Sequence, residues 1–166
     1  MQVVTGIREH GVFELRAFDA NGNLLWEEDV INGLADEGEQ HILDVYLRAA
    51  TGPVQFYVRL YNDTPVETDT LALLTGEPST NGYAAQLVER SATGWPTLAM
   101  DAGDYQATSS VETFSASGGS WGPVTYVVLA TTSDNTGKLI SFAALSQSRT
   151  LNAGESLQVT YKVKLQ

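Results

Sequence analysis

From Leu157 to Leu165 every second residue is apolar. Leu157, Val159, Tyr161, Val163 and Leu165 share one side, while Gln158, Thr160, Lys162 and Lys164 share the other. Successive strand side chains point to opposite faces of a sheet, so this period of two predicts a half-buried β-strand running to Gln166. Terminal residues fray unless something ties them down, so the strand must dock on a sheet. Leu157, Val159, Tyr161 and Val163 are then core, and Lys162 and Lys164 face solvent.

The same pattern recurs upstream. From Gln106 onward, ATSSVETFSAS, PVTYVVLATTS and KLISFAALSQS read as short strands separated by GGSWG, SDNTG and TLNAG. Strands punctuated by Gly-rich turns suggest a sandwich or jelly roll. Near the start, Phe13, Leu15 and Ala17 alternate with Glu14, Arg16 and Phe18. Asn21-Gly22 supplies a tight turn, and Leu24 to Ile31 returns as the second strand of a hairpin. QFYVRLYN is a strand with Phe56, Val58 and Leu60 inward, and AAQLVERS is another. The fold class is therefore mainly β: an antiparallel β-sandwich of jelly-roll type, in one domain spanning 1–166.

One helix interrupts this pattern, near residues 36–50. Asp36 is placed as its N-cap, with Glu39 completing a capping box. Ile42, Leu43, Tyr46, Leu47 and Ala50 form an apolar stripe, and Gly52-Pro53 stops it. The stripe is expected to cover an open side of a sheet. Residues 63–82, rich in Thr, Pro, Gly and Asp, read as a long surface excursion with a helical turn at Leu71 to Leu74. TGWPTLAMDAGDY reads as a second loop region.

Composition excludes several function classes. Twenty acidic residues against nine basic ones give a net charge of −11, which repels nucleic acid, and no basic stripe offsets it. There are no cysteines, so a disulfide framework and a thiolate metal site are excluded. No basic start followed by an apolar run marks a signal peptide, and no apolar run reaches membrane-spanning length. These features predict synthesis in a cytoplasm and no membrane partner.

Chemistry-bearing motifs are missing from the sequence. His10 and His41 lie in no metal spacing, no Gly-x-Ser-x-Gly elbow occurs, and TGEPSTNG lacks the Gly-Lys-Ser/Thr ending of a phosphate loop. Asp101 and Asp104 in MDAGDY, and Asp134 and Asn135 in SDNTG, read as turns rather than calcium or glycosidase carboxylates. Trp26 and Trp121 are placed in the core, whereas Trp95 in its loop is open to either reading. No enzyme, cofactor or metal is expected.

Two stretches carry a family resemblance: GVFELRAFDANGNLLWEEDVINGLADEGEQHILDVYL followed by FYVRLYN, and GSWGPVTYVVLATTSDNTGKLISFAALSQSRTLNAGESLQVTYKVKL. Both resemble small structural proteins of tailed bacteriophages, with a Trp-Glu hairpin, an aromatic strand, a Leu-Ser-x-Ser-Arg run and an Ala-Gly-[DE]-x-Leu-x-Val-x-Tyr ending. The chain departs at Arg59, where relatives often carry Gly, which predicts an altered packing contact or a surface charge. The resemblance implies a non-enzymatic virion part made in the bacterial host. Its leading expectation is a capsid decoration protein that binds the major capsid protein lattice as a homotrimer. The alternative is a tail-associated or fibre module contributing to host receptor glycan binding. Partner-binding residues are placed in the loops, at Leu71, Leu73, Tyr83, Trp95 and Pro96, with Met1 to Arg8 as a further segment.

Overall fold

The computed structural model describes residues 9–165. The Met1 to Arg8 contact segment lies outside the described residues. Ten strands long enough to alternate, and one two-residue bridge, form two antiparallel sheets. The first holds β2 (Leu24–Ile31), β1 (Glu9–Phe18), β11 (Ser156–Leu165), β7 (Asp104–Thr108) and β6 (Thr97–Asp101), in that order. β8 (Glu112–Ser115) also pairs with β11, opposite Ser156–Val159, while β7 pairs opposite Lys162–Lys164. The second sheet runs β3 (Gly33–Leu34), β10 (Leu139–Leu151), β9 (Trp121–Ala130), β4 (Gln55–Tyr61), β5 (Gln86–Glu89).

The C-terminal strand is therefore central to its sheet. β11 pairs with β1 along its whole length, from Phe18–Ser156 to Glu9–Leu165. Its alternation has the predicted register: Leu157, Val159 and Tyr161 are buried, and Val163 packs against the same core. Phe13, Leu15 and Phe114 meet Val58, Leu60, Val88 and Val127 of the facing sheet, so the two inner faces form one core. Lys162 and Lys164 lie on the outer face but are not bare: they pair with Glu14 (2.5 Å) and Asp101 (2.6 Å).

The structure supports the sandwich but not the jelly-roll detail. β1–β2, β4–β5, β6–β7 and β9–β10 are each successive strands paired inside one sheet, whereas a jelly roll wraps two Greek keys across two sheets. The β1–β2 turn also differs. Only Gly22 takes a positive φ (82°), and the Asp19 carboxylate closes the loop by accepting the N–H groups of Asn21 and Asn23, both at 2.8 Å. TGWPTLAMDAGDY is not a loop. It forms the β6–β7 hairpin, turned by Ala102 (φ 52°) and Gly103 (φ 100°), a two-residue turn whose central residues both have positive φ.

The helix α1 (Asp36–Leu47) ends three residues before the expected boundary. Its N-cap is Ala35 rather than Asp36, and no side chain caps it. The Asp36 N–H instead donates to Glu67 O (2.8 Å), and Glu37 takes over the anchoring. The Glu37 carboxylate accepts the N–H groups of Leu139 (2.7 Å) and Leu71 (3.0 Å) and pairs with Lys138 (3.0 Å). Burial pushes its pKa up, but these donors outweigh burial and hold the carboxyl below the ordinary glutamate value of 4.5. A carboxyl with a depressed folded pKa contributes stability that is full above its unfolded pKa and is lost as pH falls through the folded one. Melting curves followed downward from pH 4.5 should therefore show an acid-side loss that Glu37→Gln flattens. An unchanged acid slope in that variant would remove Glu37 from the account.

The apolar stripe of α1 points the wrong way for a core helix. The one buried residue of the helix is Gly38, whose hypothetical Cβ would lie 2.2 Å from Ile140 O. Ile42, Leu43, Tyr46 and Leu47 are exposed, Tyr46 by 85%. The helix thus touches the second sheet by its smallest residue and turns its apolar stripe outward. Gly38→Ala should lower stability by about 1–3 kcal/mol despite the better helix propensity of Ala, because the backbone contact cannot yield without moving α1. Thermal melts beside an exposed helix substitution such as Gln40→Ala check this.

Candidate interaction surface

Strand β4 is buried on both faces, and this organises the loops. Val58 and Leu60 enter the main core. Tyr61 faces a second cluster with Ala35, Leu71, Leu74, Val128, Ala130 and Leu139. Arg59, on the same side as Tyr61, is 1% exposed. Its Nε donates to Glu77 Oε1 (3.0 Å), its Nη1 to Asp134 O (2.7 Å), and its Nη2 to Asn135 Oδ1 (2.7 Å) and to the second Glu77 oxygen. Arg59 is an altered packing contact and not a surface charge: it ties the 63–82 excursion and the β9–β10 turn to the second sheet. Burial depresses its guanidinium, but the Glu77 hydrogen bond and the charge around it outweigh that and raise its pKa overall.

The structure does not bring the five loop residues expected at a partner surface together. Leu71 is fully buried in the second cluster, where it anchors the excursion, and cannot touch a partner from there. Tyr83 packs against Phe114 and Trp121, and its hydroxyl donates to Glu77 Oε1 (2.8 Å) while accepting the Leu60 N–H (2.9 Å). Burial drives its phenol strongly upward in pKa, so it stays neutral and serves as a strut. Leu73 and Pro96 are exposed but belong to different segments. Trp95 is half-buried between the sheets, edge-on to Phe56 (6.1 Å between centroids) and to Tyr161 (6.2 Å).

Trp95 does line a hollow that the sequence did not reveal. Where the sheets part, a groove of about 340 Å³ opens between α1 and the first sheet. Ile42, Val45 and Tyr46 form its helical wall, Phe56 and Trp95 the opposite one, and Tyr161 and Val163 its floor. Glu9 lies at its base. Burial raises the Glu9 pKa, opposed by hydrogen bonds from Asn32 and Tyr161 (3.1 Å) and by nearby His10.

The floor continues outward beyond the cover of the second sheet. Register sets Val163 beside Ala107, Ala107 beside Leu98, and Met100 beside Tyr105. Directly opposed residues share a face, so Leu98, Met100 and Tyr105 extend the inner face of the first sheet onto the edge hairpin. Leu98 is 71% exposed there, and every residue of β6 is exposed. Isolated exposed apolar residues are ordinary. Here exposed apolar side chains occur on the groove, the hairpin and the helix stripe together.

By its fold the chain is a β-sandwich module with a wide exposed apolar face. The family model described as podophage GP4 fiber I protein gp80 matches residues 33–163, and the chain belongs to that family. It is thus a member of a tailed-phage virion structural protein family, as the resemblance implied. No curated protein matches the chain.

Proposed function

We propose that the chain is a non-enzymatic component of a tail-associated podophage fibre. The observation that carries this is the match of residues 33–163 to a family described as a fibre protein. It favours the fibre alternative over the head-decoration expectation, and in this reading neighbouring fibre chains replace the capsid lattice as partners. The family's structural character supports the absence of catalysis. The host-glycan contact belongs to the same reading, and the homotrimer, expected for a head decoration protein, is carried over to the fibre. Glycan contact would draw on a polar pocket of about 470 Å³ lined by Glu9, His10, Asn32, Glu67 and Phe142, where carboxylates and an amide stand beside an aromatic ring.

Gold-labelled antibody on intact virions tests the location. Label confined to the tail region is expected. Label spread regularly over the head shell would return the assignment to capsid decoration.

A further inference from the structure

The groove beside α1 is a slot with two different ends. Leu34, Ile140, Leu129 and Phe56 line it from β3, β10, β9 and β4, four neighbouring strands of the second sheet. At about 4.8 Å per strand spacing, that row is roughly 14 Å long. Glu9 lies at the β3 end, where its carboxylate accepts from the Tyr161 hydroxyl (3.1 Å) and the Asn32 amide (3.3 Å). Arg90 and Pro53 lie at the β4 end, since Arg90 follows β5, the partner of β4. The Arg90 Nη1 donates to Pro53 O (3.2 Å), and the guanidinium lies so close to Gly52 that a Cβ there would fall 2.2 Å from Nη1. Among the described residues, seven lysines and arginines pair with an acid within 4.0 Å, and Arg90 does not. His41 lines both the slot and the hollow around Gly52 and Pro53, so it stands at the same end. Its Nε2 is buried and has no hydrogen-bond partner among the described residues. Between the two ends the walls are almost wholly apolar.

We propose that this slot binds a single acyl chain ending in a carboxylate, as a free fatty acid presents it. The acyl chain lies along the apolar row, and its carboxylate accepts from the Arg90 guanidinium and from His41 Nε2 at the Pro53 end. The volume of about 340 Å³ lies in the range of small-molecule sites, where a few convergent polar groups orient an otherwise apolar ligand. A peptide suits the slot poorly, because its N–H and C=O groups would meet walls that offer them no partners. A two-chain lipid would have to leave one chain outside. The head group must be anionic. A guanidinium held without an acid attracts a carboxylate locally, although the chain as a whole carries a net charge of −11. Glu9 closes the far end with its oxygens already engaged, and so limits the length of chain that fits. The inference concerns a ligand of this chain and holds whether or not the protein sits in a fibre.

Isothermal titration calorimetry of the purified full chain with decanoate, decanol and decyltrimethylammonium, each below its micellar concentration, tests it. Decanoate should bind at one site per chain, and more tightly than either of the others. Adsorption to an acidic surface would rank the cation first, and that order overturns the proposal, as does a chain that binds none of the three. Arg90→Gln should weaken decanoate binding about fivefold or more and leave decanol unchanged. Gly52→Ala, which displaces the guanidinium, should act in the same direction at an unchanged melting temperature. Val45→Trp should fill the slot from its helical wall and abolish binding of both. Should Val45→Trp melt early, the head-group order and the Arg90→Gln contrast decide alone. Decanoate binding indifferent to Arg90→Gln overturns the proposal, and so does a tetraleucine peptide that binds more tightly than decanoate.

Discussion

Glu77→Ala should cost about 3–5 kcal/mol, the largest loss expected from truncating any polar side chain here. The reason is the guanidinium left behind. Arg59 is 1% exposed, and Glu77 supplies both carboxylate oxygens that neutralise it. The other two acceptors, Asp134 O and Asn135 Oδ1, carry no formal charge. Removing one member of a buried pair strands the other without compensation. For a domain of this size the melting temperature should fall by about 10 °C. Arg59→Met should cost less, because the Glu77 side chain keeps 22% exposure and can recover water. Joining the changes as Arg59→Met with Glu77→Leu should return stability to within about 1–2 kcal/mol of wild type, since apolar groups of similar volume replace a buried pair at little net loss. Urea unfolding of the four proteins ranks the three losses. A Glu77→Ala variant no weaker than Arg59→Met would mean that water already reaches the guanidinium.

That network shows where a sequence ceases to be legible. Period two places β11, β1 and β4, because the same alternation that marks a strand also marks its buried side. The departure at Arg59 is visible too. Its partners are not, for Glu77 and Asn135 lie 18 and 76 positions away on turns whose paths no local pattern encodes. The helix shows a different failure. Its stripe of Ile42, Leu43, Tyr46 and Leu47 is plain at helical spacing, and apolar stripes usually face a core. Gly38 reverses the outcome. A glycine lets α1 approach the Ile140 backbone on that side, and the stripe is left pointing outward. The β6–β7 hairpin escapes sequence reading because its strands are short and its turn is Ala-Gly rather than Asn-Gly or Asp-Gly. So the core is legible, whereas the apolar face reads as loops plus a helix that covers a sheet. A groove depends on where two sheets stop covering each other, which no single segment records.

Val159→Asp should be the most damaging change in the C-terminal strand, costing about 3 kcal/mol or more. Val159 is fully buried and sits opposite Leu15 of β1 and Glu112 of β8, in the middle of the first sheet. Its side chain points into the core with Leu157 and Tyr161, where a carboxylate would find no donor. A shift of β11 by one residue could in principle carry the charge outward. It would also drive Lys162 and Thr160 into the core and break a register shared with β1 over ten residues, so the strand cannot escape that way. Lys164→Gln supplies the contrast on the opposite face. It loses an ion pair to Asp101, whose side chain is 57% exposed, and solvent screening limits the cost to about 0.5 kcal/mol. The expected outcome is a melting temperature far below wild type for Val159→Asp and close to it for Lys164→Gln. Equal melts for the two would show that the inner and outer faces of β11 had been exchanged. The groove floor would fall with that assignment, because Tyr161 and Val163 line it from the same side of the same strand.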